Sequence, residues 1–152
     1  MAPLIFAAVT DAETARAWQR VHNEVIPPDP LSLEQVKERS KIRFLDVAHL
    51  GSELVGCATI RPANDEDPVT VIVRILPPFR RQGLGSQYLS RSLSIARTQS
   101  TITIQTIVLA SNVDGLEFAL HRGFMETERY TPDGHTVPYI VLVRTLEGLP
   151  IG

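Results

Sequence analysis

Two hydrophobic periods alternate along this chain. Apolar residues spaced three or four apart predict helices at 11–26, 33–40, 85–99 and 115–122. Alternating or continuous apolar runs predict strands at 3–9, 42–49, 54–60, 69–76, 101–110, 124–130 and 137–146. The order β-α-α-β-β-β-α-β-α-β-β combines hairpins with strand–helix–strand crossovers. It predicts the α/β class, with a mixed sheet, helices on both faces and a single domain over residues 3–146.

The ends of the first helix are predicted from local signals. Thr10 is the expected N-cap, and Glu13 three residues later would complete a capping box. Pro27, Pro28 and Pro30 end the helix, because proline lacks the amide that a helix interior requires.

Composition narrows the classes of partner and compartment. The chain has 152 residues, 43% of them hydrophobic, which suits one soluble domain. Its net charge of −2 argues against recruitment of nucleic acid or of an anionic membrane. Cys57 is the sole cysteine, so an internal disulfide and a cysteine-cluster zinc site are excluded and no metal is expected. Neither a signal peptide nor a membrane-length apolar run is visible, so we expect a cytoplasmic protein.

The most informative segment joins the strand at 69–76 to the helix at 85–99. It carries Arg80, Arg81, Gly83 and Gly85 where the helix begins. Glycines allow a phosphate to approach the unpaired amides of a first helical turn, whose dipole is positive. The segment therefore predicts a pyrophosphate site. An ordinary strand-to-helix turn with solvated arginines is the simpler alternative.

Two other phosphate motifs do not fit this segment. No lysine follows either glycine, as a Walker loop requires, and Tyr88 occupies the place of the third glycine of a dinucleotide fingerprint. The remaining pattern, Arg-x-x-Gly-x-Gly from Arg80 to Gly85, resembles the acetyl-CoA motif of the GNAT superfamily of N-acetyltransferases. The resemblance implies the GNAT fold, with a mostly antiparallel central sheet and helices on both faces, and it implies acetyl-CoA as cosubstrate.

The resemblance also implies cofactor-binding residues. In the family, the strand before the motif separates from its neighbour and holds pantetheine like an added strand, and Ile75 would donate its N–H to the thioester carbonyl. The amides of 81–86 would surround the pyrophosphate. The implied cofactor-binding residues are Val73, Ile75, Arg80, Arg81, Gln82, Gly83, Leu84, Gly85, Ser86 and Asn112.

A second segment, 112–124, resembles another GNAT signature through Asn112, Phe118, Gly123 and Phe124. The resemblance gives Asn112 a contact with the cofactor, although asparagine also caps helices well. The family tyrosine that protonates the departing thiolate falls at Ala119, and a methyl group cannot donate a proton. Water or another side chain could supply that proton, since a thiolate with a pKa of about 8.5 is a tolerable leaving group. Otherwise catalysis is weak or lost.

The catalytic acid and base are not identified by the sequence. The strand at 102–108 contains no carboxylate to act as base. Weak candidates for catalysis are Tyr139, His121 and Glu24. Other polar residues near the expected acceptor cleft are His22, Asp29, Tyr130 and His135. Each of these has a simpler interpretation as a structural or solvated side chain.

These observations predict an enzyme that moves an acetyl group from acetyl-CoA to an amine by direct attack. The acceptor is a small molecule or a peptide, and acids at 65–67 would suit a cationic amine. One alternative is a non-catalytic module that binds acyl-CoA as a sensor. Transfer to a hydroxyl is another, but it would demand a base that the sequence lacks. The family also suggests a homodimer, with neither nucleic acid nor a membrane as partner.

Overall fold

The computed structural model describes residues 3–98 and 103–146. Seven strands are seen in this part of the chain: β1 Leu4–Ala8, β2 Phe44–Leu50, β3 Glu53–Arg61, β4 Val69–Ile75, β5 Thr103–Leu109, β6 Met125–Tyr130 and β7 Tyr139–Thr145. Four α-helices accompany them: α1 Ala12–Val25, α2 Leu33–Ile42, α3 Leu84–Arg97 and α4 Val113–His121. The predicted order of elements is confirmed, with bounds shifted by at most two residues. Residues 99, 101 and 102, predicted as parts of a helix and a strand, lie outside the described residues.

The N-cap of α1 is Asp11, and the prediction of Thr10 is wrong. The Asp11 carboxylate accepts from the Thr14 amide at 2.8 Å, and the Thr14 hydroxyl oxygen accepts from the Asp11 amide at 3.2 Å. Thr14 therefore takes the place that a capping box usually gives to glutamate or glutamine, one residue later than Glu13. A carboxylate binds unpaired first-turn amides better than a threonine hydroxyl, because it also carries charge favoured by the helix dipole.

The strands form one sheet in the order β1-β2-β3-β4-β5-β7-β6. All neighbours are antiparallel except β4 and β5, which run parallel. The mixed, mostly antiparallel sheet expected from the sequence is thus confirmed.

Helices cover both faces of this sheet. Trp18, Val21 and Val25 of α1 pack with Val47 and Cys57 in one core cluster, and Val36 of α2 belongs to the same cluster. The opposite face is covered by α3 and α4, whose buried residues pack on strand residues in a second cluster that contains Leu89, Leu93, Ala96, Ala119, Ile60, Val71, Ile104 and Ile140. Burial raises the pKa of the Cys57 thiol to about 12, so this residue acts as a small apolar side chain. No helix within the described ranges combines the length and the apolar character needed to cross a membrane.

Candidate functional site

A gap between β4 and β5 is the main irregularity of the sheet. The two strands pair only at Val69↔Ile104 and Thr70↔Gln105, near their first residues, and then diverge. On the other side of β4, the pairing with β3 continues through Arg74 and Ile75. The second half of β4 therefore has a partner on one edge only.

The direction of the β4 amides follows from the pairing with β3. The Leu76 amide donates to the Val55 carbonyl at 2.8 Å, on the β3 side. Because successive residues of a strand direct their N–H groups to opposite edges, Val73 and Ile75 direct theirs toward the gap. An extended ligand could pair with these amides as an added strand.

A cavity of about 260 Å³ occupies the gap. It is lined by β4, β5, the turn before α3, the first residues of α3, and α4, and it reaches Val25 and Ile26 at the end of α1. Since α1 covers the face opposite α3 and α4, the cavity runs through the sheet. Eight of the ten sequence-predicted cofactor-binding residues line it: Val73, Ile75, Arg80, Arg81, Gly83, Gly85, Ser86 and Asn112.

The turn before α3 has the backbone of an anion-binding loop. Arg81 has φ 64° and Gly83 has φ 80°, both left-handed, and Gly83 is the N-cap of α3. No side chain caps this helix, so its first amides are directed to the cavity without a local acceptor. Alternating backbone handedness and a free helix N-terminus both concentrate N–H groups on one spot. A Cβ atom at Gly85 would lie 3.1 Å from the Phe118 ring, so a larger residue would narrow this part of the cavity.

Both arginines of the turn already have partners. The Arg80 Nε–H donates to the Ile75 carbonyl at 2.8 Å, and an Arg80 terminal nitrogen lies 3.1 Å from the Asp114 carboxylate. Arg81 lies 3.5 Å from Asp114 and 3.7 Å from Glu117, but 71% of its side chain is exposed. Arg80 therefore ties the end of β4 to α4. Only Arg81 has the exposure to exchange a weak ion pair for a ligand.

Gln82 and Leu84 do not line the cavity, unlike the other predicted residues of the turn. The Gln82 side chain is exposed and its amide donates to the Pro78 carbonyl at 3.3 Å. Leu84 is buried with Tyr88 and Ala58 in a third core cluster. Its side chain anchors the start of α3, which leaves only its backbone available to a ligand.

Asn112 satisfies one of its two predicted roles directly. Its side-chain oxygen accepts from the Gly115 amide at 3.1 Å, which caps α4. Gly115 is required by this contact, because a Cβ atom there would lie 2.5 Å from the Asn112 side-chain nitrogen. Asn112 also lines the cavity, so the cap does not exclude a second contact.

The four positions considered for catalysis are dispersed. Ala119 is buried and lines the cavity, and His121 lines it while remaining exposed. Glu24 is exposed and does not line it. Tyr139 lies outside the cavity lining and donates its hydroxyl to Asp29 Oδ2 at 2.9 Å.

Three polar side chains, those of His22, Asp29 and Tyr139, lie together on the α1 face of the sheet. The Asp29 backbone carbonyl lies 3.0 Å from His22 Nε2, which must carry the proton as donor. Burial lowers the pKa of His22 to about 4, with a smaller contribution from the Arg74 charge, so this imidazole is neutral at pH 7. Burial raises the pKa of Tyr139 to about 12, helped by its hydrogen bond to Asp29, so its hydroxyl keeps its proton. The group therefore presents one carboxylate, one neutral imidazole and one phenol.

Arg74 is the residue of this region that sequence reasoning missed. It is absent from the predicted site residues, yet it lines the cavity. Opposite Arg74 on β3 is Cys57, which belongs to the core under α1, so the arginine side chain lies on the α1 face. The signal was present in the alternation of β4, where a charged residue occupies a position facing a core.

A sequence model described as the acetyltransferase (GNAT) family matches residues 10–124. No curated protein sequence matches the chain. Among solved structures, a candidate phosphinothricin N-acetyltransferase is 22% identical with a TM-score of 0.74, covering 95% of this chain and 99% of that one.

Two further structures are similar over nearly their whole length. The ribosomal-protein-S18-alanine N-acetyltransferase from Escherichia coli is 15% identical with a TM-score of 0.72, covering 98% of this chain and 100% of that one. A GNAT family acetyltransferase from Elizabethkingia anophelis, solved with acetyl-CoA bound, is 19% identical with a TM-score of 0.67, covering 94% and 98%. At these identities the structures support the fold, and the family match supports the chemistry.

Proposed function

Since this chain belongs to the acetyltransferase (GNAT) family and transfers an acetyl group from acetyl-CoA to an amine, we propose that the gap between β4 and β5 holds the cosubstrate. Pantetheine would pair with the amides of Val73 and Ile75. The observation that carries this proposal is the loss of β4–β5 pairing beyond Thr70 beside a left-handed turn at the start of α3. Together they supply an open strand edge and a phosphate-binding helix end in one cavity.

The pyrophosphate would lie against the turn 81–86. Its charge is favoured by the amides of Gly83, Gly85 and Ser86 and by the positive end of the α3 dipole. Arg81 would leave its exposed ion pairs to reach it, whereas Arg80 would keep its contact with the Ile75 carbonyl. Asn112 and the backbones of Gln82 and Leu84 complete the proposed set.

The proposed reaction is direct attack of a neutral amine on the thioester carbonyl carbon. The new C–N bond forms as the C–S bond breaks, and the thiolate leaves. The Ile75 N–H would polarise the carbonyl oxygen, a contact worth about 3 kcal/mol at the transition state. The amine proton passes to water or to Asp29, whose carboxylate is held by Tyr139. Ala119 supplies no proton, so the thiolate leaves unaided or is protonated by water.

A sensor that binds acyl-CoA without turnover is the second candidate. The observation that favours it is the buried methyl of Ala119 at the family tyrosine position, together with the absence of a carboxylate on β5. The similar structures do not indicate which acceptor this chain uses, because their names refer to different acceptors. One is named for phosphinothricin and another for an alanine of a ribosomal protein. The acceptor is therefore proposed only as an amine on a small molecule or a peptide. The proposals of a cytoplasmic location and of a homodimer rest on composition and family alone. Size-exclusion chromatography with light scattering tests the dimer.

Calorimetric titration with acetyl-CoA, followed by a thiol-release assay over a set of amines, tests the proposal. The informative variant is Gly83→Val, which strains a left-handed residue where a Cβ atom would meet nothing within 4 Å. Gly51→Val is the matched control, since Gly51 has φ 62°, equally open surroundings and a place in the β2–β3 turn, outside the cavity lining. We expect the Kd of acetyl-CoA to rise at least about tenfold in Gly83→Val and to stay unchanged in the control.

Three outcomes are distinguishable. Equal acetyl-CoA affinities in Gly83→Val and Gly51→Val would contradict the proposal that the pyrophosphate lies against this turn. Binding with no turnover on any amine would favour the sensor. Failure of the wild-type protein to bind acetyl-CoA would overturn the proposed site, and Gly83→Ala serves if the valine variant does not fold.

A further inference from the structure

Arg74 differs from the other arginines that line the cavity. Arg80 and Arg81 pair with Asp114, and Arg122 donates to the Ser86 hydroxyl. Within residues 3–98 and 103–146, no carboxylate forms an ion pair with Arg74, whose polar neighbours include the Cys57 thiol, a weak acceptor, and Tyr139. Five N–H donors therefore lack a charged partner at the α1 end of the cavity.

Leaving a guanidinium half-buried without a carboxylate is unfavourable. Burial lowers the pKa of Arg74, and the positive charge of Arg39 lowers it further. Desolvation of an unpaired charge costs several kcal/mol in general, and a bound anion would offset that cost. Packing alone gives no reason for arginine at this strand position, since Cys57 opposite and Leu76 nearby are apolar core residues.

The surroundings of Arg74 are positive. The charge of Arg39 lowers the pKa of both Arg74 and Arg43. The charge of Arg61 also lowers the pKa of Arg43. Only Arg61 of these four has an acidic partner in the described part of the chain, Asp67 at 3.5 Å. An anion entering this end of the cavity therefore meets uncompensated positive charge.

One carboxylate lies at the same end without neutralising Arg74. Asp29 follows Ile26, which lines the cavity, and its amide donates to the Ile26 carbonyl at 3.1 Å. Its side chain accepts from Tyr139, whose pKa is raised mainly by burial and is lowered slightly by Arg74. Tyr139 thus has Asp29 and Arg74 as neighbours of opposite charge that do not pair with each other.

We propose that Arg74 binds a carboxylate of the acceptor, so that the acceptor is a small amine that also carries a carboxylate, as an amino acid does. This inference rests on the proposed function of the β4–β5 gap. Arg74 would hold the carboxylate bidentately, and Asp29 would face the amine end. The proposal differs from the cationic amine that the acids at 65–67 suggested; of these acids, Asp67 forms an ion pair with Arg61.

Strand geometry limits the size of this acceptor. Arg74 immediately precedes Ile75, the proposed donor to the thioester carbonyl, and one residue of a strand spans about 3.3 Å. The carboxylate and the reacting amine must therefore be separated by no more than about the reach of one arginine side chain. A compact α- or ω-amino acid satisfies this condition, and a peptide whose only carboxylate is distant does not.

Acetylation of matched amines tests the inference. The probes are the standard α-amino acids, β-alanine and 4-aminobutyrate, each compared with its carboxamide or its decarboxylated amine. We expect kcat/KM for the preferred acid to exceed that of its uncharged match by at least about tenfold. In Arg74→Gln this preference should disappear through a higher KM for the acid, while Arg74→Lys restores part of it and Arg16→Gln, an exposed arginine of α1, changes nothing.

The affinity for acetyl-CoA separates this inference from the proposed function. Unchanged acetyl-CoA affinity in Arg74→Gln, with loss of acid preference, supports the proposal. Turnover of carboxylate-free amines with none of the acids would overturn the inference and leave the proposed acetyl transfer intact. Turnover of no amine alongside normal acetyl-CoA binding would also overturn the inference, and it would favour the sensor. Equal loss for acids and their matches in Arg74→Gln would also overturn it, since a merely structural role predicts that result.

Discussion

Asp46 on β2 and Arg74 on β4 are two charged residues on central strands with opposite surroundings. Asp46 is 1% exposed and accepts from the Tyr88 hydroxyl at 2.5 Å and from Arg91. Arg74 is half-buried and has no carboxylate partner in the described ranges. One charge has its partners within the fold, and the other does not.

The difference separates a charge that is satisfied within the fold from one that we propose binds a ligand. Burial raises the pKa of Asp46, whereas the Tyr88 and Arg91 hydrogen bonds oppose that rise and keep the group satisfied. Its network joins β2 to α3, since Tyr88 and Arg91 lie 42 and 45 residues after Asp46 in the sequence. A satisfied network contributes a defined packing of helix on sheet, and an unsatisfied charge in a cavity contributes affinity for an ion of opposite sign.

Replacing Asp46 should give the largest effect. Asp46→Leu removes the side-chain acceptor of Tyr88 and the partner of Arg91, and we expect a loss of about 3 kcal/mol in the free energy of unfolding. Urea denaturation measures it, with Asp65→Asn, an exposed acid, as control. A loss below about 0.5 kcal/mol would mean that this network contributes no more than an ordinary surface contact.

His22, whose pKa is affected by Arg74, should make the stability of the fold depend on pH. Its pKa is lowered by burial to about 4 in the folded state, below the ordinary value of 6.5. Between these values the unfolded chain binds the proton and the folded chain does not, so stability falls as pH falls. Its contribution should fall by about 2 kcal/mol from pH 7 to pH 5.

His22→Gln is the variant that isolates this effect. Denaturation at both pH values should show a smaller decrease in the variant than in the wild-type protein. Equal decreases would assign the pH dependence to other groups. In Arg74→Leu the decrease should also shrink, because the arginine charge is the second cause of the lowered pKa.

Replacing Arg74 should give the smallest effect on stability and thereby complete the comparison. Arg74→Leu removes an unpaired charge and leaves an apolar side chain beside Cys57, so the free energy of unfolding should stay within about 0.5 kcal/mol or rise. Denaturation in the absence of any ligand is the required measurement. A loss of 2 kcal/mol or more would place Arg74 with Asp46 as a structural charge.

Prediction from sequence succeeded where the signal is local. Hydrophobic spacing predicted the order of strands and helices, and the glycines at 83 and 85 predicted the turn whose left-handed backbone is observed. The cap of α1 was misplaced by one residue, because Thr10 and Asp11 are both good caps and only the folded contact with Thr14 distinguishes them. The sequence also predicted which residues line much of the cavity, because most of them adjoin that turn.

Contacts between segments that are distant in the sequence could not be predicted from it. The ion pair of Arg80 with Asp114 was not predicted, because α4 brings Asp114 against Arg80 from 34 residues away in the sequence. The pair of Asp29 and Tyr139 joins residues 110 positions apart. Neither contact leaves a periodic pattern, since each depends on how loops and strand ends meet after the sheet has formed.

The sequence by itself determined the family, the class of reaction and the place of the left-handed turn that we propose binds phosphate, because helix starts and left-handed glycines are dictated by neighbouring residues. The tertiary structure alone decided which charges are satisfied. Strand register places Arg74 opposite Cys57 and Asp46 beneath Tyr88, and the divergence of β4 from β5 opens the cavity to one of these charges. Register is a property of the whole sheet, so the inference about the acceptor required the fold.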